Sequence, residues 1–309
     1  MASPAHSSTK KSGFKPGSAS SGNVSLTLGS LLRFGRHYLA GLGLEEAALE
    51  AEVLLMHQAG ISRAYLYSHR EDAAPVEFGV AYQTLLDRRA AREPLAYITG
   101  TREFFGLEFR VDRRVLIPRP ETEMLVEECL GQLGQDSRPF PILADIGTGS
   151  GAIAVALAHH LPGARVYATD ISAEAIDVAS INCARHGVRE RVTLVEGNLL
   201  EALPEPVDVI LANLPYVPRS TISTLAPEVS VYEPRAALDG GEDGLYLVRQ
   251  LLSQTPGRLR PGGRLLLEIG SGQGAEAAQA AADAIAGSSI RVMRDLAGLD
   301  RLLVIELAT

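Results

Sequence analysis

The spacing of hydrophobic residues predicts helices in the first part of the chain. Between Leu28 and about Ala91 apolar residues recur every three to four positions, as at Leu31 and Leu32, and this spacing places them on one face of a helix. We predict a small bundle of four or five helices. Pro94 interrupts the pattern, and the segment YITGTREFFGLEFRV alternates apolar and polar positions around a glycine turn, which predicts a pair of β-strands.

Beyond Ile117 apolar runs alternate with helical segments. The runs are PILADIG, RVYATDI, VTLVEGN, VDVILAN and GRLLLEIG. Strands that alternate with helices imply right-handed crossovers, so we predict an α/β domain with a mainly parallel, doubly wound sheet. The last runs, IRVMRD and RLLVIEL, have no helix between them, which predicts an antiparallel strand at the sheet edge. Ligands of such sheets bind at the carboxyl ends of the strands.

These patterns divide the chain into four predicted segments. Residues 1–25 are rich in Ser, Gly, Lys and Ala and are expected to form a flexible tail, because they carry too few large apolar side chains to offset the cost of ordering. Residues 26–92 form the helical domain, 93–118 a β-hairpin connector, and 119–309 the domain built on the sheet.

Composition narrows the classes of partner. The net charge of -8 favours protein or small-molecule partners over nucleic acid, because an acidic chain as a whole does not attract phosphate backbones; a local basic patch remains open. No apolar run approaches the roughly 18 residues needed to cross a bilayer, and no secretory signal begins the chain; we expect a cytoplasmic protein without a membrane partner. Cys129 and Cys183 belong to no CxxC pair, so we expect free, buried thiols and no metal site.

Glycines and an aspartate stand where the first strand of the sheet domain meets its helix. In DIGTGSG, which begins at Asp145, Gly147, Gly149 and Gly151 let the backbone turn tightly and approach a ligand. Further along, Asp170 ends the next strand, where a carboxylate can accept hydrogen bonds from two ribose hydroxyls. Together they predict a nucleoside site; turn chemistry alone is the alternative.

The spacing G-x-G-x-G, with an aspartate two residues earlier, resembles that of class I S-adenosylmethionine-dependent methyltransferases. The resemblance implies S-adenosyl-L-methionine as cofactor, with Asp145 near its methionine end and Asp170 on the ribose. Asn198 would meet the adenine, and Leu199 would pack on its ring. The candidate cofactor-binding residues are Asp145, Gly147, Thr148, Gly149, Ser150, Gly151, Asp170, Ile171, Asn198, Leu199 and Asn213.

The segment ILANLPYV ends the fourth predicted strand on four candidate catalytic residues, Asn213, Leu214, Pro215 and Tyr216. An amide is a poor nucleophile because its lone pair is delocalised, so it needs acceptors that hold its NH2 protons and aim the lone pair at the methyl group. The Asn213 side-chain oxygen and the Leu214 carbonyl can serve. Pro215 would fix the turn, and Tyr216 would form an apolar wall facing the sulfonium charge. The alternative is a proline-stiffened strand end.

Three other segments are ambiguous. VLIPRPETE places Glu121 and Glu123 in the first turn of a helix, where acids are favourable, but the same stiff segment equally suits a wall over the cofactor site. YEPRAALDGGEDGL, which begins at Tyr232, either shapes the substrate mouth or is a long loop before a helix, and the second interpretation is favoured. EIGSGQG, residues 268–274, is interpreted as an ordinary strand-to-helix turn.

Nearly the whole chain after the tail resembles the HemK/PrmC-like methyltransferases, which modify the glutamine of the Gly-Gly-Gln motif in peptide chain release factors. The resemblance rests on the order of a helical N-terminal domain, PLAYITGTREFFG, VLIPRPETE, DIGTGSG, YEPRAALDGGEDGL and RDLAGLDR. It implies a Rossmann-like methyltransferase domain at 119–309 and a release-factor glutamine inserted at Asn213 to Tyr216. It also implies a substrate-docking role for residues 26–92.

Two positions depart from that family's pattern. The family usually has Asn-Pro-Pro-Tyr, whereas Leu214 stands here; leucine keeps the backbone carbonyl, so we expect activity to persist. Asn-Leu-Pro-Tyr also resembles the motif of rRNA adenine dimethyltransferases, but those enzymes lack IPRPETE and EPRAALDGGEDGL. Asn198 stands where aspartate is common, which concerns only the adenine contact.

Three alternative functions remain open from the sequence. The first is glutamine methylation of a large-subunit ribosomal protein, which shares the pocket. The second is amino methylation of adenine in nucleic acid, which would need a basic groove with stacking aromatics near Tyr216; the flanking VPRSTIS supplies only Arg219. The third is a non-catalytic cofactor-binding module that assists translation.

Overall fold

The computed structural model describes residues 26–134 and 140–308, so the predicted tail at 1–25 lies outside the described residues. The chain divides into two compact units between Thr99 and Gly100. This division falls inside the predicted connector 93–118, because a short helix, Leu95–Thr99, belongs to the first unit.

Helices make up the first unit, as the apolar spacing predicts. They are α1 (Leu28–Gly41), α2 (Ala47–Ala59), α3 (Arg63–Ser68), α4 (Val76–Ala90) and α5 (Leu95–Thr99). Helix α1 begins with a reciprocal cap, in which the side chains of Thr27 and Ser30 each accept from the backbone N–H of the other. The core contains Leu28, Leu54 and Tyr82, all fully buried. The unit is therefore a small bundle with its own hydrophobic core.

The second unit contains the predicted strand pair and the α/β domain. Its helices are α6 (Glu123–Leu133), α7 (Ala152–His160), α8 (Ala173–Arg185), α9 (Pro227–Ser230), α10 (Tyr246–Gln254) and α11 (Gly274–Ala284). Its strands are β1 (Thr101–Phe104), β2 (Leu107–Arg110), β3 (Ile142–Ile146), β4 (Arg165–Asp170), β5 (Val192–Glu196), β6 (Val207–Ala212), β7 (Leu259–Glu268), β8 (Ser289–Arg294) and β9 (Asp300–Glu306). Short 3-10 helices lie at Pro120–Thr122, Leu199–Ala202, Arg219–Thr224 and Arg235–Ala237.

Strands β1 and β2 form an antiparallel pair, and the other seven form one sheet in the order β5-β4-β3-β6-β7-β9-β8. The first five strands of that order are parallel, and β9 runs antiparallel to both β7 and β8. This confirms the predicted fold class. The reversed strand β9 lies one position inside the predicted edge, where residues 302–305 are buried on both faces of the sheet, and the half-exposed strand β8 forms the edge.

The register of the sheet brings the predicted motifs to one edge. Ile146 pairs with Ala212, and Ala212 pairs with Leu267, so the glycine loop after β3, the Asn213 segment after β6 and Glu268 at the end of β7 are neighbours. The chain runs from β3 outward to β4 and β5, then returns to β6 on the other side of β3. Such a reversal leaves a crevice at the carboxyl ends of the strands, where ligands bind.

Two smaller expectations concern the cysteines and the membrane. Cys129 and Cys183 are free and buried, as predicted, and burial raises the pKa of the Cys183 thiol to about 11. Over residues 26–134 and 140–308, no helix combines the length and the apolar character required to cross a bilayer.

Candidate active site

A cavity of about 360 Å³ lies at the carboxyl ends of the parallel strands, within the size range of small-molecule sites. The predicted cofactor residues on its wall are Gly147, Gly149, Asp170, Ile171, Asn198, Leu199 and Asn213. Leu214 and Pro215 also line it. The structure thus brings together residues from the ends of four strands, β3, β4, β5 and β6, that lie far apart in the sequence.

Asp170 holds the glycine loop against the end of β4. Its Oδ2 accepts from the backbone N–H of Gly149 at 2.9 Å, and its Oδ1 accepts from the N–H of Ser172 at 2.9 Å. Burial raises the pKa of the Asp170 carboxyl. Each carboxylate oxygen keeps a further lone pair, so the side chain can still accept from two hydroxyls of a ligand in the cavity.

Asp145 lies at the inner side of the glycine loop and is fully buried. Its Oδ2 accepts from the Thr148 hydroxyl at 2.6 Å and from the N–H of Ala154 at 3.1 Å. Its Oδ1 has no hydrogen-bond partner among the described residues. Burial raises the pKa of Asp145 to about 7. A buried carboxylate with one unpaired oxygen suits a cationic or hydrogen-bond-donating group, which is the donor type carried by the amino-acid end of S-adenosylmethionine.

The raised pKa of Asp145 makes stability depend on pH. The ordinary aspartate value is 3.8, so between about pH 4 and pH 7 the unfolded chain has lost the proton that the folded chain retains, and stability falls as pH rises through this window. In Asp145→Asn this contribution is absent. We expect the melting temperature of the variant, relative to the parent protein, to rise by about 3 °C or more between pH 4.5 and pH 7.5. A difference in melting temperature between variant and parent that stays constant with pH would contradict the raised pKa of Asp145.

The Asn213 segment separates this cavity from a second one of about 230 Å³. Asn213 and Leu214 line both cavities, and Tyr216 lines the second. Arg119 from the IPRPETE segment also lines the second cavity. Asn213 and Leu214 therefore lie between two cavities, each large enough to hold one of two reacting groups.

A buried chain of hydrogen bonds holds the Asn213 side chain. Its Nδ2 donates to Oγ1 of Thr122 at 2.9 Å, and that hydroxyl donates to Oε2 of Glu268 at 2.7 Å. The Tyr216 hydroxyl donates to Oε1 of Glu268 at 3.2 Å. Burial raises the pKa of Glu268, a shift opposed by the bonds from Thr122 and Tyr216 and by the charge of Arg301. Three distant segments are thereby fixed around one carboxyl.

A second buried carboxyl joins two of the segments that are ambiguous in the sequence. Glu233 of YEPRAALDGGEDGL pairs with Arg119 of IPRPETE at 2.5 Å and accepts from the N–H of Ile117 at 3.3 Å. Only 1% of the Glu233 side chain is exposed. Both segments therefore help to wall the second cavity, and removal of Arg119 would leave the buried Glu233 carboxyl without its counter-charge.

The backbone after Asn213 is braced by the GGEDG loop and by EIGSGQG. The N–H of Val217 donates to the Leu238 carbonyl at 3.0 Å, and the N–H of Gly240 donates back to the Val217 carbonyl at 2.9 Å. Nε2 of Gln273 donates to the Tyr216 carbonyl at 3.1 Å, while its Oε1 accepts from the N–H of Gly270 at 2.7 Å. EIGSGQG is thus more than the simple turn that the sequence suggests.

Gly244 is expected to tolerate no side chain. Its φ is +83°, and an added Cβ would overlap the Tyr216 carbonyl oxygen and lie 2.5 Å from Nε2 of Gln273. We expect Gly244→Ala to lower the free energy of unfolding by about 3 kcal/mol, from left-handed strain plus overlap. Gly257→Ala is the matched control, because Gly257 has φ +78° with nothing within 4 Å of the new Cβ; it should cost only about 1 kcal/mol. Equal losses in chemical denaturation would refute the close approach.

Comparisons with known proteins bear on each part of the chain. The family model of the PrmC N-terminal domain matches residues 30–100, and that of ribosomal protein L11 methyltransferase (PrmA) matches residues 122–231. Curated release factor glutamine methyltransferases match much more of the chain. The protein of Cereibacter sphaeroides is 44% identical over 86% of this chain and 93% of its own length. That of Moorella thermoacetica is 46% identical over 89% of this chain and 97% of its own length. This chain belongs to the release factor glutamine methyltransferase family.

Membership of the release factor glutamine methyltransferase family confirms the predicted resemblance. A solved structure supports the fold: the hMettl16 catalytic domain in complex with a MAT2A 3′UTR hairpin has a TM-score of 0.56 and 17% sequence identity, and the match covers 72% of this chain and 83% of that chain. The methyltransferase fold of the second unit is therefore shared with proteins of low sequence similarity.

Within this family member, the predicted site residues occupy three positions. Most line the larger cavity, and Tyr216 lines the smaller one. Asp145, Thr148, Ser150 and Gly151 are buried in or beside the glycine loop, next to residues of the cavity wall, but do not themselves line either cavity. The roles of these residues remain predictions. Sequence patterns alone do not identify Thr122, Glu268, Glu233 or Gln273 as functional residues. Glu233 and Glu268 could have been considered, because each is an acid beside a glycine-containing motif.

Proposed function

We propose that the protein transfers a methyl group from S-adenosyl-L-methionine to the side-chain amide nitrogen of the glutamine in the Gly-Gly-Gln motif of peptide chain release factors. The observation that carries this proposal is the position of the Asn213 amide, which lines both cavities while its Nδ2 is occupied by Thr122. Its Oδ1 is thereby available to a substrate amide. Membership of the release factor glutamine methyltransferase family supports the same substrate.

The larger cavity is proposed to hold the cofactor. Asp170 would accept from the ribose hydroxyls, and the unpaired Oδ1 of buried Asp145 would face the charged amino-acid end through the glycine loop. Ile171, which is 70% exposed on the cavity wall, and Leu199 would cover the two faces of the adenine, with Asn198 at its edge. When bound, S-adenosylmethionine supplies a methyl group on a positively charged sulfur.

The residues of the Asn213 segment are proposed to orient the substrate amide. The Asn213 Oδ1 and the Leu214 backbone carbonyl would accept the two N–H protons, so that the nitrogen lone pair turns toward the methyl group. The methylated nitrogen then loses one proton readily, so no strong base is required. Pro215 restricts the backbone that carries the Leu214 carbonyl. The Tyr216 ring would exclude water and face the positive charge.

The substrate is proposed to be a folded protein loop. The side chains of the second cavity are mainly apolar, with Arg119 as its charged member, which suits a short loop that inserts one uncharged polar side chain. The helical unit, predicted over residues 26–92, would dock another part of the release factor. The reaction would take place in the cytoplasm, with no direct nucleic-acid substrate and no membrane partner.

Methyl transfer from radiolabelled S-adenosylmethionine tests the proposal. The acceptors would be a purified release factor, its Gln→Ala variant in the Gly-Gly-Gln loop, purified large ribosomal subunits and bare rRNA, each at equal concentration. We expect label on the intact release factor alone. Label on ribosomal protein or on rRNA would overturn the substrate assignment, and cofactor binding without label on any acceptor would indicate a binding module.

A further inference from the structure

We propose that Glu268 is a positioning residue that acts through Thr122 to hold the Asn213 amide with its oxygen toward the substrate. This inference rests on the proposed function and assigns roles to two residues outside the Asn-Leu-Pro-Tyr segment. Thr122 belongs to the 3-10 helix before α6, and Glu268 ends β7. Their contact spans 146 positions in the sequence.

The direction of each hydrogen bond follows from the chemistry of its partners. The Thr122 hydroxyl has a single proton, and it donates that proton to Oε2 of Glu268 at 2.7 Å. The Thr122 oxygen is then left with lone pairs alone toward Asn213. Only the NH2 end of the amide can satisfy those lone pairs, at the observed 2.9 Å. The oxygen end of Asn213 is therefore fixed on the opposite side.

The opposite orientation of the amide would block the substrate. If Thr122 donated to Asn213 instead, the Asn213 NH2 group would face the NH2 group of a glutamine, and neither group could accept from the other. A buried donor left without an acceptor is unfavourable. The chain Glu268–Thr122–Asn213 excludes this arrangement before substrate binds.

Burial is the largest influence on the Glu268 carboxyl and raises its pKa, while the hydrogen bonds from Thr122 and Tyr216 act against this shift. Tyr216 donates to its second oxygen, so both oxygens accept from hydroxyl groups. Arg301 on β9 lowers the carboxyl pKa by its charge, and Glu121 opposes this effect. Arg301 is itself held by Asp295 at 3.1 Å. The buried Glu268 carboxyl thus accepts one hydrogen bond on each oxygen, with the Arg301 cation nearby.

A pair of substitutions at Thr122 tests the proposal while largely preserving the shape of the side chain. Thr122→Val removes the hydroxyl, and Thr122→Ser keeps it. We expect Thr122→Val to lower turnover on the release factor at saturating substrates by about thirtyfold or more, with cofactor affinity within about threefold of the parent. Thr122→Ser should restore most of that loss. Cofactor affinity and thermal unfolding, measured on the same samples, separate a positioning effect from a damaged fold.

Glu268→Gln combined with Asn213→Ala completes the experiment. Glutamine is close in shape to glutamate but can donate as well as accept, so the donor-to-acceptor order of the hydrogen bonds from Asn213 through Thr122 is no longer fixed. Turnover should fall by about tenfold or more. In the Asn213→Ala background the same change should have little further effect, because no amide remains to be oriented. Additive losses in the double variant, or equal turnover of Thr122→Val and Thr122→Ser, would overturn the positioning role alone. Absence of transfer by the unmodified protein would overturn the proposed function and this inference with it.

Discussion

Replacement of Asn213 by alanine is expected to lower turnover by about a hundredfold or more, with little change in cofactor affinity. The substitution removes the oxygen proposed to accept a proton of the substrate amide. It also leaves the Thr122 hydroxyl without the Nδ2 donor that lies 2.9 Å away. The substrate amide would then keep its planar geometry, with the nitrogen lone pair conjugated to its own carbonyl and not directed at the methyl group. Turnover at saturating substrates and cofactor binding by calorimetry measure the two effects separately.

The control for this experiment is Gln279→Ala. Gln279 carries the same type of amide on the exposed face of α11, where it contacts Asp283 at 2.8 Å. Its loss should leave turnover, cofactor affinity and melting temperature near those of the parent. Full turnover by Asn213→Ala would remove the proposed account of the site, whereas a parallel fall in turnover and cofactor affinity would move Asn213 into the cofactor site.

Asp170→Ala is expected to have the opposite signature, with cofactor binding weakened by about thirtyfold or more. Hydrogen bonds to a charged group contribute roughly 1.5–3 kcal/mol each, and each 1.4 kcal/mol corresponds to a factor of ten in affinity. The substitution also removes the carboxylate that accepts hydrogen bonds from the N–H groups of Gly149 and Ser172. Part of the loss would therefore come from a looser glycine loop. Titration calorimetry with S-adenosylmethionine gives the affinity directly.

A control for net charge is available on the neighbouring helix. Asp177 lies on the exposed face of α8, so Asp177→Ala removes one negative charge without touching the cavity wall. If general attraction of a cationic cofactor explained the effect, both variants would lose affinity to a similar extent. Unchanged affinity in Asp170→Ala would refute the ribose assignment.

Much of the fold follows from local features of the sequence. Helical spacing in residues 28–90 and the alternation of apolar runs with helices depend on neighbours within a few positions, so the pattern predicts them. The place of β9 depends on a different comparison. Its apolar residues 302–305 are buried on both faces of the sheet, whereas the residues of β8 are only half-buried. This difference becomes visible only when the whole sheet is assembled.

The residues of the candidate site likewise differ in whether the sequence alone can predict them. Asp170 and Asn213 could be found because each ends a strand, and a parallel sheet brings such ends to one edge. Thr122 could not be found, because its hydroxyl acquires a function only through Glu268, which lies 146 positions away. Gln273 is similar, since it supports the site through the backbone carbonyl of Tyr216, 57 positions earlier. Contacts between distant segments leave no periodic pattern in the sequence.

The contact between the glycine loop and the Asn213 segment bears on how the family can diverge. Gly147 has φ +74°, and an added Cβ would lie 3.2 Å from Cδ2 of Leu214. A side chain at position 147 would meet backbone strain and would require the Leu214 side chain to shift, so we expect glycine to be strongly favoured there. Position 214 contributes its backbone carbonyl, which every amino acid possesses, while its side chain is buried in the hydrophobic core and must stay apolar and stop short of Gly147. We therefore expect relatives to keep glycine at position 147 but to exchange one apolar residue for another at position 214, where leucine and proline both keep the carbonyl.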